Sequence, residues 1–108
     1  MEQQASSKHT PGPWNISGKY GNLRTEVVAG GRAIAAVWTH QSVPADVTDP
    51  QRGTTEQPLE YGAANLHLIA AAPDLYAVLS EIDSVGFFDW EMFGPKIAAA
   101  IAKAEGRS

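Results

Sequence analysis

Leu23-Arg24-Thr25-Glu26-Val27-Val28-Ala29-Gly30-Gly31-Arg32-Ala33-Ile34-Ala35-Ala36-Val37-Trp38 decides the fold of this chain. Two consecutive glycines adopt the positive φ angles of a tight primed turn without steric penalty, so Gly30-Gly31 reads as the loop of a β-hairpin. With those two residues as the loop, Ala29 faces Arg32, and Val27 then opposes Ile34, Thr25 opposes Ala36 and Leu23 opposes Trp38. One apolar face results, and the other carries Arg24, Glu26 and Val28 opposite Val37, Ala35 and Ala33. A slip by one residue would bring Arg24 and Glu26 to the core face, which argues for this register.

Upstream of the hairpin, Trp14 and Ile16 alternate with Asn15 and Ser17, the period of a short strand with one buried face. Pro11-Gly12-Pro13 sets an extended or turning backbone just before it, and residues 1–8 read as a flexible polar tail. Gly18-Lys19-Tyr20-Gly21-Asn22 reads as a turn into the hairpin. Downstream, residues 40–61 turn polar, and Pro44, Pro50, Pro58 and Gly53 interrupt any period. That is a long polar loop of roughly twenty residues, either a binding or lid element or a tolerated insertion.

From Gly62 the chain becomes helix-compatible, with Leu66, Ile69, Ala70 and Pro73 at helical spacing. Pro73 must kink the rod or begin a new helix, with Asp74 placed to favour the dipole. Leu75, Val78 or Leu79, and Ile82 continue the stripe. Ser84-Val85-Gly86-Phe87-Phe88 is a connector, and Asp89 caps a last helix whose stripe is Trp90, Phe93, Ile97 and Ala100 or Ile101. Gly94-Pro95 is expected to bend or restart it, leaving Pro95–Ala104 as the regular part and Gly106 as the stop. The expectation is an α+β fold: a three-stranded antiparallel β-meander followed by two or three C-terminal helices packed on one face. Residues 9–108 form a single domain, with Trp14, Trp38, Trp90, Phe87, Phe88 and Phe93 assigned to its interior.

Composition narrows the chemistry. The 108 residues are 44% hydrophobic and 19% charged, with no Cys, so disulfides, thiol catalysis and Cys-based metal sites are excluded. The apolar run Leu66–Ala72 is too short to span a membrane, and the polar N-terminus is no secretory signal. A net charge of −4 argues against general affinity for nucleic acid or anionic membrane. The acidity lies in the second half, where eight acids (Glu56, Glu60, Asp74, Glu81, Asp83, Asp89, Glu91, Glu105) face three basic residues.

An enzyme needs a nucleophile with its base, paired carboxylates or a metal cluster. His9, His40 and His67 fall on different elements with no metal-ligand spacing, and Gly30-Gly31-Arg32 lacks the Gly-Lys-Ser or Gly-Lys-Thr of a phosphate loop. We therefore expect no enzyme, no cofactor and no metal. The runs Ala70-Ala71-Ala72 and Ala98-Ala99-Ala100 permit close backbone approach, either within the chain or between subunits of a homo-oligomer.

Two blocks carry a resemblance: His9-Thr10-Pro11-Gly12-Pro13-Trp14, and Ala64-Asn65-Leu66-His67-Leu68-Ile69-Ala70-Ala71-Ala72-Pro73-Asp74-Leu75-Tyr76. The chain resembles a family of small phage and prophage proteins that open with the first block and later carry an Ala-Asn-Ala-Arg-Leu-Ile-Ala-Ala-Ala-Pro-Glu-Leu-Leu helix. It departs from that pattern at Leu66, His67, Asp74 and Tyr76. The resemblance implies an accessory factor in the cytoplasm of an infected host cell, of the kind that includes counter-defence inhibitors. Two functions follow. The first is an inhibitor that binds a basic site on a host defence protein through an acidic helical surface or through the long 40–61 loop, with Asp46, Asp49, Glu56, Glu60, Glu81 and Asp83 as the partner-binding acids. The second is an oligomeric sponge for a signalling nucleotide, using Arg24, Arg32, Lys19, Tyr20 and Trp38, since Arg binds phosphate bidentately and aromatics stack on bases.

Overall fold

The computed structural model describes residues 8–20 and 23–107, and of residues 19 and 20 the backbone alone. Strands β1 (Asn15–Tyr20), β2 (Arg24–Ala29) and β3 (Arg32–Trp38) form an antiparallel meander. A second, two-stranded sheet pairs β4 (His40–Pro44) with β5 (Thr54–Pro58), and a single 3-10 turn, Pro50–Arg52, lies between them. Helices α1 (Gly62–Ala70), α2 (Ala72–Val85) and α3 (Trp90–Ala104) complete an α+β fold. Most of the expected tail, residues 1–7, and Gly21-Asn22 of the expected turn lie outside the described residues.

The Gly30-Gly31 turn forms as its sequence demands, at φ 59° and 82°, with Ala29 opposite Arg32 and Val28 opposite Ala33. Beyond that the register departs from expectation. A bulge places both Ile34 and Ala35 against Val27, so Thr25 pairs with Val37 and Arg24 with Trp38. The extra residue swaps the faces of β3. Val37 turns inward and is buried, while Trp38 turns outward and stays 58% exposed. A second irregularity lies between Ile16 and Lys19 of β1, which runs on through Gly18-Lys19-Tyr20 where a turn was expected.

Residues 40–61 are likewise not a structureless loop. The strands escape a hydrophobic reading because Gln41, Ser42, Thr54, Thr55 and Gln57 are exposed on both faces, so no alternation marks them.

The core is where α1 crosses the three-stranded sheet: Val27, Val37, Leu66 and Ala70, with Trp14, Ile34, Ala35 and Ile69 packed around them. Gly62 starts α1 directly over the chain at Thr39, where a Cβ would lie 2.7 Å from the Thr39 Cα. The N-terminal block docks on the start of α2. A Cβ on Gly12 would lie 3.0 Å from the Pro73 Cβ, and the His9 ring meets Tyr76 edge-on at 5.0 Å. The Trp14 indole N–H donates to the Thr10 carbonyl at 3.0 Å, closing the corner before β1.

The Ala70-Ala71 junction is fully packed, and Pro73 sits in the first turn of α2 as its fixed φ and missing N–H favour, with Asp74 beside it suiting the helix dipole. Gly86, at φ 86°, ends α2, and Asp89 caps α3 by accepting from the Glu91 amide at 3.0 Å. Gly94-Pro95 does not restart α3, which runs through the proline as one helix. The proline lies one turn in, and Gly94 is small enough to lie beneath the Trp90 ring, which a Cβ would meet at 2.8 Å.

The outcome is elongated, 62 × 28 × 17 Å with a radius of gyration of 18.4 Å. A compact chain of this length would have about 13 Å. The aromatic assignments change accordingly. Phe93 is fully buried and Trp14 half-buried, but Trp38, Phe87, Phe88 and Trp90 are exposed rather than interior. Only α1 lies on the sheet as a layer; α3 packs on both α1 and α2, and Leu79, Phe87, Phe88 and Trp90 stay exposed.

Candidate functional site

The six acids assigned to partner binding separate into two groups. Asp46, Asp49, Glu56 and Glu60 sit on or beside the β4–β5 hairpin, and Glu81 and Asp83 lie in the last turns of α2. Glu81 is held by Lys96 of α3, with both carboxylate oxygens within 2.9 Å of Nζ.

The hairpin apex is built from its own polar groups. Asp46 Oδ1 accepts from the Thr48 hydroxyl at 2.7 Å and from the Thr48 amide at 2.9 Å, an Asx turn. Its other oxygen lies 3.6 Å from Arg52. These contacts, the Thr48 hydroxyl first, hold the Asp46 carboxyl below the ordinary carboxylate range. Asp49 accepts from the Gln51 amide and caps the 3-10 turn, and the Ala45 amide donates to the Gly53 carbonyl to close the loop. Inside this ring of hydrogen bonds Val47 points outward and is 85% exposed. An aliphatic side chain at the tip of an ordered loop is presented, not stored.

At the root of the hairpin, Thr25 and Thr39 are the buried polar side chains of the described core. Their hydroxyls lie 3.1 Å apart, and the Thr39 hydroxyl also meets His40 Nδ1 at 2.8 Å. A Thr–His pair has the composition of a nucleophile with its base. Here the hydroxyl is 5% exposed and already shared with Thr25, so the chain Thr25–Thr39–His40 pins β2 to the start of β4. The sequence offered no signal for it, because the contact joins residues 14 apart across a register that the bulge resets.

The nucleotide residues gather in part. Tyr20 pairs with Arg24, and Arg24 with Trp38, so the three form one row across the meander. Arg24 and Trp38 share the sheet face turned away from α1, and both are exposed. Arg32 stands at the opposite end of β3, about 20 Å along the strand from Trp38. Lys19 pairs with Thr25, and the side chains of Lys19 and Tyr20 lie outside the description.

Two depressions lie among the described residues. One, of about 170 Å³, is lined by Trp14, Asn15, Ile16, His67, Ala70, Lys103 and Gly106. Lys103 there is tied to Asp74 at 2.8 Å. The other, of about 550 Å³, lies at the hairpin root between Leu23, Ser42, Thr54, Thr55 and Glu56. Among the described residues no three His, Asp or Glu side chains are grouped to hold a metal ion, and no helix is long and apolar enough to cross a membrane.

Compared with known proteins, the chain matches a family model described as Salmonella phage P22 protein Y8K6 over residues 1–108, its whole length. No curated protein and no solved structure matches it.

Proposed function

We propose that this chain, which belongs to the family of Salmonella phage P22 protein Y8K6, is a non-enzymatic accessory protein that binds a host defence protein through the apex of its β4–β5 hairpin. The observation that carries this reading is the self-ordered loop around Asp46 with Val47 at its tip. A loop that is already ordered loses little entropy on binding, and an exposed apolar side chain on it gains most from a pocket in a partner. Asp46 and Asp49 beside it, with Glu60 near the base, give the hairpin an acidic character that suits a basic site and speeds encounter with it. Inhibition then follows by occupying that site.

The test is affinity capture from the host with wild-type bait and with Val47→Asp, both checked for cooperative unfolding. A host protein retained by the wild type and lost with Val47→Asp supports the reading. Equal capture by the two baits, or none by either, refutes it.

A second reading rests on the exposed Arg24–Trp38 pair, which offers a stacking ring beside a guanidinium on an open sheet face. On that reading a nucleotide raises the melting temperature of the wild type and not that of Trp38→Ala. An unchanged melting temperature and an unchanged native mass across cyclic and linear nucleotides exclude it.

A further inference from the structure

We infer that α2 and α3 form a homodimer interface, in which a second copy of this chain covers their outer apolar side. The two helices are antiparallel and are joined along one side by two ion pairs, Asp74–Lys103 and Glu81–Lys96. Asp74 and Glu81 are seven residues apart on α2, and Lys96 and Lys103 seven apart on α3, so the pairs form a two-rung ladder. Helical spacing sets an apolar stripe on each helix roughly a third of a turn from the ion-paired side. Leu75, Leu79 and Ile82 make one stripe, and Trp90, Ile97 and Ile101 the other, with Leu75, Ile82 and Ile97 half-buried. Leu79 is 66% exposed, Trp90 64% and Ile101 41%.

The exposed area is of the order a dimer needs. Phe87, Phe88 and Trp90 are each more than half exposed, which leaves roughly 100 Å² of each in water. With the exposed parts of Leu79 and Ile101 they supply much of the ~800 Å² per partner of a standard interface. Among the described residues of a single copy, by contrast, the large side chains that are fully buried are Phe93 and Val27.

That contrast identifies the occupant. A chain of this size depends on its apolar burial to fold, and here much of the apolar surface has no cover among the described residues. The partner that supplies the cover must be present whenever the chain folds, before any host target is met. A second copy meets that condition. A twofold axis also needs only one self-complementary patch, and an uncharged stripe is compatible with its own image.

Sedimentation equilibrium of the full chain across a wide dilution series tests this directly. A mass of twice 11.5 kDa is expected, with Leu79→Glu weakening association by about a hundredfold or more, because the carboxylate would be buried without a partner. Isotope-filtered NMR on mixed labelled and unlabelled wild type supplies a second readout that does not depend on the folding of Leu79→Glu. Intermolecular contacts from the Leu79 and Ile101 methyls are expected. A folded single-chain mass at every concentration overturns the proposal. So does a dimer without those intermolecular contacts, or one that Leu79→Glu leaves intact while folded.

Discussion

Gly62→Ala is the substitution whose outcome the packing of α1 constrains most tightly. The added Cβ would stand 2.7 Å from the Thr39 Cα, 3.0 Å from the Thr39 carbonyl oxygen and 3.1 Å from that of Trp38. All three are backbone atoms, so no side-chain rotation relieves the clash, and α1 must lift from the sheet junction or the chain at Thr39 must shift. Overpacking of this kind costs about 1–3 kcal/mol. Alanine returns up to about 1 kcal/mol through helix propensity, less at a first helical position such as this one. The net loss is then about 1–2 kcal/mol, a fall in melting temperature of roughly 4–16 °C for a domain of this size. The control is Gly18→Ala, where a Cβ would meet nothing within 4 Å and φ is not positive. Thermal unfolding followed by circular dichroism compares the two. If Gly62→Ala unfolds at or above the wild-type temperature, α1 does not sit on Thr39 as described.

Three further outcomes follow from particular contacts. Thr39→Val keeps the shape but leaves the Thr25 hydroxyl and His40 Nδ1 without their shared partner, and is expected to lower stability by about 1–3 kcal/mol in urea unfolding. Because the Asp46 carboxyl is held below its ordinary value, its contribution to apex order is complete above that value and is lost as pH falls through the lower, folded-state one. Amide exchange at Thr48, after correction for intrinsic rates, should therefore accelerate relative to neighbouring strands only below about pH 4, and Asp46→Asn should abolish that pH dependence. Lys96→Ala breaks an ion pair between half-exposed groups and should lower stability by no more than about 1 kcal/mol, an effect that shrinks with added salt in the same unfolding assay.

The parts of the fold that were legible in the sequence are those decided within a few residues. Gly30-Gly31 needs positive φ and takes it, Asp89 caps the helix that follows, and Pro73 sits in the first turn of α2 after the packed alanine junction. The bulge at Ile34 and Ala35 was not legible, because both residues are apolar and either phase of the strand yields a plausible face. That single offset sent Trp38 to the surface and moved the arginine of its pair from Leu23's neighbour to its direct partner. The β4–β5 hairpin was hidden because its strands are polar on both faces and bounded by Pro44 and Pro58, the usual marks of a loop. The exposed aromatics of α2 and α3 mark a different limit. An apolar stripe states that it will be covered, and says nothing of whether the cover belongs to the same chain. Of the site, Asp46 and Asp49 were legible as loop acids, whereas their role in ordering the apex around Val47 depends on hydrogen bonds to Thr48 and Gln51 that spacing alone does not specify.

Site-specific photo-crosslinking from position 47 in infected cells tests the central claim most directly. With a photoreactive residue in place of Val47, the account predicts one discrete adduct with a host protein, absent when the same group replaces the exposed Gln57 on β5. A probe-bearing protein that retains its effect on infection yet yields no host adduct from position 47, or the same adducts from both positions, would contradict it.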